Sequence, residues 1–551
     1  MKEWLIVFRK DNHPILKEFG KCQFEHDNLM HESDKEIIVI DGLILNQKEL
    51  FEKHQTHDFL QLVLKMRQLN PNNFFCDFRG PFTGVFYDKL TKNAVVFTNQ
   101  TGDSAVFYYL SENLQVFSSN FTILLNDLKN NQIPVSFDEK AAHWMLTFGY
   151  LVDKTTFAKE IKRLCAGKAI YLENGKWTEK TYHRFVYKNL QVSENEAIEN
   201  IDKLFKKAVR RCFEKDLEYG YTQHIVDISA GLDSRMVNCV AKKLGYSPIT
   251  NISYSQTSSD EEILSKQVSK HFGNTLIFEP LDDHEFVFDI DELLDGNFGT
   301  YLYCGITGGA RLLSKIDFEN FGAEQTGLLG DGAVGGSYIK SDSYNENIES
   351  LRLAHKLPLR FNPNEEQYDK PVFGLYTRGF MGIMSSWFVR KHYTFALSPF
   401  NDVEFLEYCH SLPVEMRRDH QLYWKWVEKC HPEALEVPIN RKRVPITKLQ
   451  KWSDSVEKLY HKGLKAWRLV FFKLGLVPSR VRPDASMNPY EYWYDTDPKM
   501  RAFFDDYYHE NIGLISENKQ LSKELEVLFK SRIVLEKTMA LTVLGMAKKL
   551  S

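Results

Sequence analysis

His224-Ile-Val-Asp-Ile-Ser-Ala-Gly-Leu-Asp-Ser-Arg235 runs from a short apolar segment, through a turn of small residues, into a helical pattern that starts near Asp233. The apolar segment, ending at Ser229, has the length and flanks of a buried strand. The turn after it is physically an anion site. Small residues let backbone N–H groups close on a phosphate, the hydroxyls of Ser229 and Ser234 can donate, and the start of a helix is electropositive. An acidic side chain there repels phosphate unless a cation lies between them, so Asp233 points to Mg²⁺. The plainer alternative is an ordinary strand–helix turn capped by Ser and Asp. At average residue usage, S-x-G-x-D-S arises by chance about once in a hundred chains of this length. Its placement between strand and helix makes chance rarer still.

The same alternation continues outward. Ala197 to Phe213 is amphipathic, Arg235 to Leu244 reads as a helix stopped by Gly245, and Pro248 to Tyr254 as a second strand. Asp260 to Phe272 reads as a third helix stopped by Gly273. Strands alternating with helices of this length mean parallel βαβ units. Towards the N-terminus the pattern is different. Glu36 to Ile40, Gly84 to Tyr87, Ala94 to Phe97, Val106 to Tyr109 and Gln115 to Phe117 are short β-branched or aromatic runs. Turn residues such as Asp41-Gly42 and Thr101-Gly-Asp103 separate them, and Gln47 to Asn70 carries apolar residues at helical spacing. This predicts an α+β region. A connecting stretch from about Asn131 to Val192 adds a strand pair around Lys168 to Leu172, and Phe380 to the end reads as mostly helical. The expected fold class is therefore α/β combined with α+β.

A chain of 551 residues exceeds one ordinary core and fits three to four domains, or two large ones. Hydrophobic residues at 43% and charged residues at 26% are the balance of a globular protein. Seventy basic against 74 acidic side chains leave a net charge of −4, which provides no field for a nucleic-acid backbone. No run approaches about 18 apolar residues, so no spanning helix is expected, and the apolar run within Met1 to Lys10 is too short for a signal peptide. The eight cysteines are scattered, with no C-x-x-C pair. That argues against a zinc ribbon, an iron–sulfur site or a disulfide framework, and for a reducing compartment. A cytoplasmic protein without nucleic-acid or membrane partners is the expectation.

A second glycine-rich segment, Thr326-Gly-Leu-Leu-Gly-Asp-Gly-Ala-Val-Gly-Gly336, carries another aspartate, Asp331. Two aspartates about a hundred residues apart, each on such a turn, can share one cation. Further stretches are Asp41-Gly-Leu-Ile-Leu-Asn46 with Glu49-Leu50, Arg79-Gly-Pro-Phe-Thr-Gly-Val-Phe-Tyr-Asp88, Gly102 with Phe107-Tyr-Tyr109, and Pro399-Phe-Asn-Asp402. Taken together, these resemble the asparagine synthetase family. The first loop is similar to the S-G-G-x-D-S pyrophosphate loop of ATP-pyrophosphatases, and Thr326 to Gly336 to that family's second ATP segment. The remaining stretches match its fold markers, so that the resemblance extends from residue 1 to about 445.

The resemblance implies an Ntn-hydrolase-like αββα sandwich of the glutamine amidotransferase type over residues 1–192, including the connecting segment. An ATP-pyrophosphatase synthetase domain with a helical C-terminal part follows over residues 193–551. ATP and Mg²⁺ are the implied cofactors. Ser229, Gly231, Asp233, Ser234, Thr326 and Gly327 would hold ATP and pyrophosphate, and Ser253, Tyr254 and Ser255 would lie towards adenine and ribose. Asp233 and Asp331 would hold the metal. Pro438 to Pro445 resembles the loop bearing the family's catalytic lysine. Direct alignment puts Arg443 at that position with Lys442 beside it, and either cation could stabilise charge at the α-phosphate and the tetrahedral centre.

Departures from the family narrow the activity. Its glutamine-dependent members carry a nucleophilic cysteine directly after the initiator Met, where this chain has Lys2, and the first cysteine is Cys22. Lysine cannot replace a thiolate in attacking the glutamine amide. The family's R-D-x-x-G turn reads Asn99-Gln-Thr-Gly102. β-Lactam synthetase, carbapenam synthetase and the lasso-peptide cyclases share the loss of glutaminase, as the resemblance implies. Ala230 replaces a loop glycine, tolerable at negative φ and awkward at positive φ. Leu328 stands where the family has a residue that moves protons. The expected function is an AMP-forming ligase that joins a small-molecule, sugar-acid or peptide carboxylate to an amine. Asparagine synthesis from ammonia or glutamine and a non-catalytic scaffold are the alternatives. The substrates, the general base and the assembly, with a homodimer among the options, stay open.

Overall fold

The computed structural model describes residues 3–9, 14–20, 24–305, 308–336, 348–361, 369–439, 464 and 467–551. Its N-terminal part holds two antiparallel sheets. The strands are β1 (Glu3–Arg9), β2 (Ile15–Phe19), β3 (Leu29–Glu32), β4 (Glu36–Gly42), β5 (Phe82–Asp88), β6 (Ala94–Thr98), β7 (Phe107–Leu110), β8 (Leu114–Ser118), β9 (Lys162–Arg163), β10 (Lys168–Glu173) and β11 (Lys176–Thr181). They are ordered β2-β1-β8-β7-β9 and β11-β10-β6-β5-β4-β3. Side chains alternate across a strand, and β4 shows why its apolar run is unbroken. Ile37 and Val39 pack with Trp4, Ile6 and Phe117 between the sheets. Ile38 and Ile40 face outward onto α1 (Gln47–His54) and α2 (Phe59–Leu69). The other sheet is covered by α3 (Phe121–Asn130) and α4 (Glu139–Phe148), through Leu5, Val7, Phe107 and Val116. The layers are helix, sheet, sheet, helix.

The structure adds two details to the sequence pattern. Gln47 to Asn70 is two helices, because Gln55 adopts φ 49 as the C-cap of α1 and Asp58 caps α2 by accepting the Gln61 N–H. The opening segment, read only as too short for a signal peptide, supplies β1, whose residues from Trp4 to Phe8 are all buried.

The later sheet is parallel throughout. Its strands are β12 (His224–Asp227), β13 (Ile249–Ser255), β14 (Thr275–Pro280), β15 (Glu324–Gln325) and β16 (Ala396–Leu397), ordered β14-β13-β12-β15-β16. The chain leaves β12 towards β13 on one side and returns to β15 on the other. Helices α5 (Glu194–Glu218), α6 (Asp233–Lys243) and α7 (Asp260–Phe272) alternate with these strands. Ser193 caps α5 by accepting the Glu196 N–H, Ser259 caps α7 by accepting the Glu262 N–H, and Gly273 ends α7 at φ 65. The first strand ends at Asp227, earlier than the sequence suggested, and the next helix starts at Asp233 as expected. The loop hydroxyls and Asp233 thus sit at the helix start itself.

The C-terminal part is mostly helical, as expected. The helix Val534–Leu550 is buried nearly all round and packs into one core with α3, α4 and the helix Ile290–Asn297. Ion pairs of the buried Arg211 and Lys215 also join the N-terminal part to the parallel-sheet part. Arg211 of α5 meets Glu49 at 2.7 Å, Asp402 at 2.8 Å and Glu404 at 2.9 Å. Lys215 meets Asp27 at 3.1 Å, with both side chains fully buried. Among the described residues no helix is long and apolar enough to cross a membrane, and all seven cysteines are free thiols.

Candidate functional site

In open parallel sheets, ligands sit beyond the carboxyl ends of the strands, where the strand order reverses. That point here is the β12/β15 pair, and both glycine-rich segments leave from it. They lie directly against each other. A Cβ on Gly327 would fall 2.3 Å from the Ser234 nitrogen, and one on Gly330 would fall 2.5 Å from Cγ of Asp233. Only glycine allows this approach of two backbones. The loop between β12 and α6 is drawn in by its own hydroxyls. Ser229 N–H donates to Ser234 Oγ at 3.0 Å, the two hydroxyls are 2.8 Å apart, and Gly231 N–H donates to Ser229 Oγ at 3.2 Å. Ala230 is not among the residues with positive φ, so its methyl group is accommodated.

The two aspartates converge. Asp331 N–H donates to Asp233 Oδ2 at 2.9 Å, and Tyr423 O–H donates to Oδ1 at 2.8 Å. Burial, with the Asp331 charge adding to it, pushes the Asp233 carboxyl up to about 7 against these two hydrogen bonds. A buried carboxyl group whose ionisation is opposed by burial and by a neighbouring carboxylate is what a divalent cation relieves. Asp233 and Asp331 therefore fit Mg²⁺ as a donor set. A third carboxylate touches the loop, for Glu261 at the start of α7 accepts the Ala230 N–H at 3.2 Å. Burial, with a contribution from Asp260, raises Glu261 to about 7.

The remaining sequence candidates are less uniform. Thr326 is buried, receives the Leu328 N–H on its hydroxyl at 3.4 Å, and donates its own N–H to Leu397 at 2.7 Å. It supports the second loop from beneath. Ser253 is buried within β13. Ser255 spends its hydroxyl on Ser259 at 2.9 Å and on the Gln256 carbonyl. Tyr254 sits at the end of β13 with its hydroxyl accepting from Arg390 at 3.2 Å. The Leu328 side chain is half-buried against the core of the parallel-sheet part, and its carbonyl accepts from Ser398 at 2.8 Å. Lys2, Cys22, Lys442 and Arg443 lie outside the described residues. The approach to the last two is fixed, however. Arg235 of α6 donates to the carbonyls of Ala434 at 3.1 Å and Pro438 at 3.2 Å, so the chain enters that segment beside the first turns of α6.

Three residues at this end of the sheet escaped the sequence reading. Asp227 and Glu324 stand on the paired strands β12 and β15, and Arg390 bridges them, 3.3 Å from Asp227 and in direct contact with Glu324. Burial and the Glu324 charge raise Asp227 well above the ordinary carboxylate range, Arg390 opposing. The one available signal was an aspartate interrupting the apolar run of a buried strand. Tyr423 and Glu261 had no signal of their own.

Residues 23–183 match the glutamine amidotransferase domain family. No curated protein matches the chain. Among solved structures, the glutamine phosphoribosylpyrophosphate amidotransferase from B. subtilis, complexed with ADP and GMP, is similar at a TM-score of 0.25 and 9% identity, over 51% of this chain and 85% of that one. A structure described as the allosteric regulatory enzyme of purine biosynthesis has a TM-score of 0.22 and 8% identity, over 51% of this chain and 59% of that one. At such scores neither likeness carries an argument. The N-terminal part is thus similar to glutamine amidotransferase domains, and the parallel-sheet part rests on its own geometry.

Proposed function

We propose that the protein is an AMP-forming carbon–nitrogen ligase of the asparagine synthetase type. Residues 1–192 would serve as an amidotransferase-like unit without glutaminase, and residues 193–551 as the ATP-pyrophosphatase unit. The observation carrying this reading is the interlock of the two glycine-rich loops at the β12/β15 switch point, with Asp233 and Asp331 side by side. A substrate carboxylate attacks the α-phosphate of ATP, the α–β bridge bond breaks, and pyrophosphate leaves into the Ser229–Ser234 loop. An amine then attacks the acyl carbon, the C–O bond to AMP breaks, and the amine gives up one proton to solvent. Ser229, Gly231 and Ser234 supply hydroxyls and N–H groups at a helix start, where negative charge is favoured. Bound Mg²⁺ would screen phosphate repulsion at Asp233 and Asp331. Arg235 positions the chain leading to Lys442 and Arg443, either of which can offset the oxyanion charge. Arginine stays charged at any working pH and is a poor proton donor.

The test is product analysis. The protein is incubated with α-labelled ATP, Mg²⁺ and a panel of carboxylates, each with and without amines. AMP and pyrophosphate are expected from the productive pair, and ADP in their place contradicts the mechanism. With that pair, Arg443→Ala is expected to lower kcat more than Lys442→Ala. Loss of an oxyanion donor costs about 3 to 4 kcal/mol in the transition state.

A further inference from the structure

At the far end of α6 from the anion loop lies a buried cluster that the proposed reaction does not use. Sγ of Cys239, a ring nitrogen of His431 and a carboxylate oxygen of Glu433 all lie within 4.8 Å of one another. Cys239 is 1% exposed and His431 fully buried. His431 is oriented by Asp202 of α5, whose Oδ1 is 2.6 Å from Nε2, so that Nδ1 turns into the cluster. Cys239 Sγ donates to Glu433 Oε1 at 3.4 Å. The space among these groups is taken by a cation that the chain itself supplies. The Lys243 ammonium contacts Glu433, lies 3.3 Å from His431 Nδ1 and donates to the Cys430 carbonyl at 2.8 Å. Its side chain is 37% exposed, so it has a route to solvent.

A thiolate, an imidazole nitrogen and a carboxylate are the zinc donor set. A carboxylate on the second imidazole nitrogen is the usual support of a zinc-bound histidine, because it fixes the ring and the tautomer. We propose that Cys239, His431 and Glu433 form a zinc site, with the Lys243 ammonium standing in for the metal and withdrawing to solvent when Zn²⁺ binds. Binding makes bonds to the sulfur, to Nδ1 and to a carboxylate oxygen. The Cys239 thiol loses its proton to solvent, and a water completes the fourth position. No oxidation state changes. The bound ion would tie the turn Pro432–Leu435 to α6 just before the chain reaches Lys442 and Arg443. The site stands independently of the ligase reading, and the sequence hid it because Cys239 lies 194 positions before Glu433 and forms no C-x-x-C pair.

The full-length protein, stripped with a chelator and exchanged into metal-free buffer, is titrated with Zn²⁺ and separately with Co²⁺. One metal per chain is expected, with thiolate-to-cobalt charge-transfer absorption that disappears in Cys239→Ser. Asp202→Asn is expected to weaken zinc binding by about 10- to 100-fold. Lys243→Met removes the competing ammonium and is expected to tighten it. Absence of thiolate–cobalt absorption in the folded protein overturns the proposal. So does zinc affinity that is unchanged in Cys239→Ser, or not raised in Lys243→Met.

Discussion

Asp233 is buried beside another carboxylate, and this environment sets its protonation. Its carboxyl sits near 7 in the folded protein, raised by burial and by Asp331 from an ordinary value of 3.8. The folded state therefore binds the proton more tightly than the unfolded state. Between about pH 4 and 7 this costs stability as the pH rises, and above 7 the full penalty is in place. Asp233→Asn removes it. Urea unfolding should show the variant more stable by about 1 to 3 kcal/mol at pH 8 and nearly equal to wild type at pH 4. Equal stability at pH 8 would mean that the carboxylate is not strained in the folded site. At this scale the spacing in the sequence located Ser229, Gly231, Asp233, Ser234 and Asp331 on two turns that the structure brings against each other. Spacing does not mark Asp227, Glu324 and Arg390, which meet only because β12 pairs with β15 and the helix Trp387–Arg390 packs over them.

Among the elements, α5 carries more than its apolar stripe. Lys215 and Asp27 are fully buried partners, and Asp27 also accepts the Ile44 N–H at 2.7 Å and the Tyr219 hydroxyl at 3.0 Å. Lys215→Met leaves that carboxylate buried without its cation. Removing one member of such a pair costs about 3 to 5 kcal/mol, whereas replacing both by apolar groups is often neutral. Denaturant unfolding of Lys215→Met and of the double variant with Asp27→Leu measures the difference. A cost below about 1 kcal/mol for the single variant would show that the pair is solvated. Elements with caps written into the chain, such as α7 between Ser259 and Gly273, were legible. The edge strand β14 was not, for its residues alternate weakly and it forms by pairing with β13 from Thr250 to Ser255. The break at Gln55 also gave no signal, because a non-glycine residue takes the left-handed conformation there.

Across the whole molecule, an N-terminal sheet and the C-terminal helices share a core, which ties the amidotransferase-like part to the helical C-terminal part. The turn Asn99 to Asp103 serves this contact. Asn401 donates to Thr101 at 3.2 Å and to Asp103 at 2.9 Å, and Arg163 donates to the Gly102 carbonyl at 2.9 Å. If the proposed function holds, the purified protein releases no glutamate from glutamine above background. Release that disappears in Cys22→Ser would reverse this expectation. The change of periodicity near Ser193 marks the start of α5, but the shared core gave no signal, since residues hundreds of positions apart build it.

The reading as a whole depends on the two glycine-rich loops forming one metal-dependent pyrophosphate site. Calorimetric titration of the full-length protein with pyrophosphate, in the presence and absence of Mg²⁺, measures this without knowledge of the other substrates. Binding at one site per chain, dependent on Mg²⁺ and lost in Asp233→Asn, Asp331→Asn and Gly327→Ala, is the expected result. Pyrophosphate binding that needs no Mg²⁺, or that survives in all three folded variants, would contradict it.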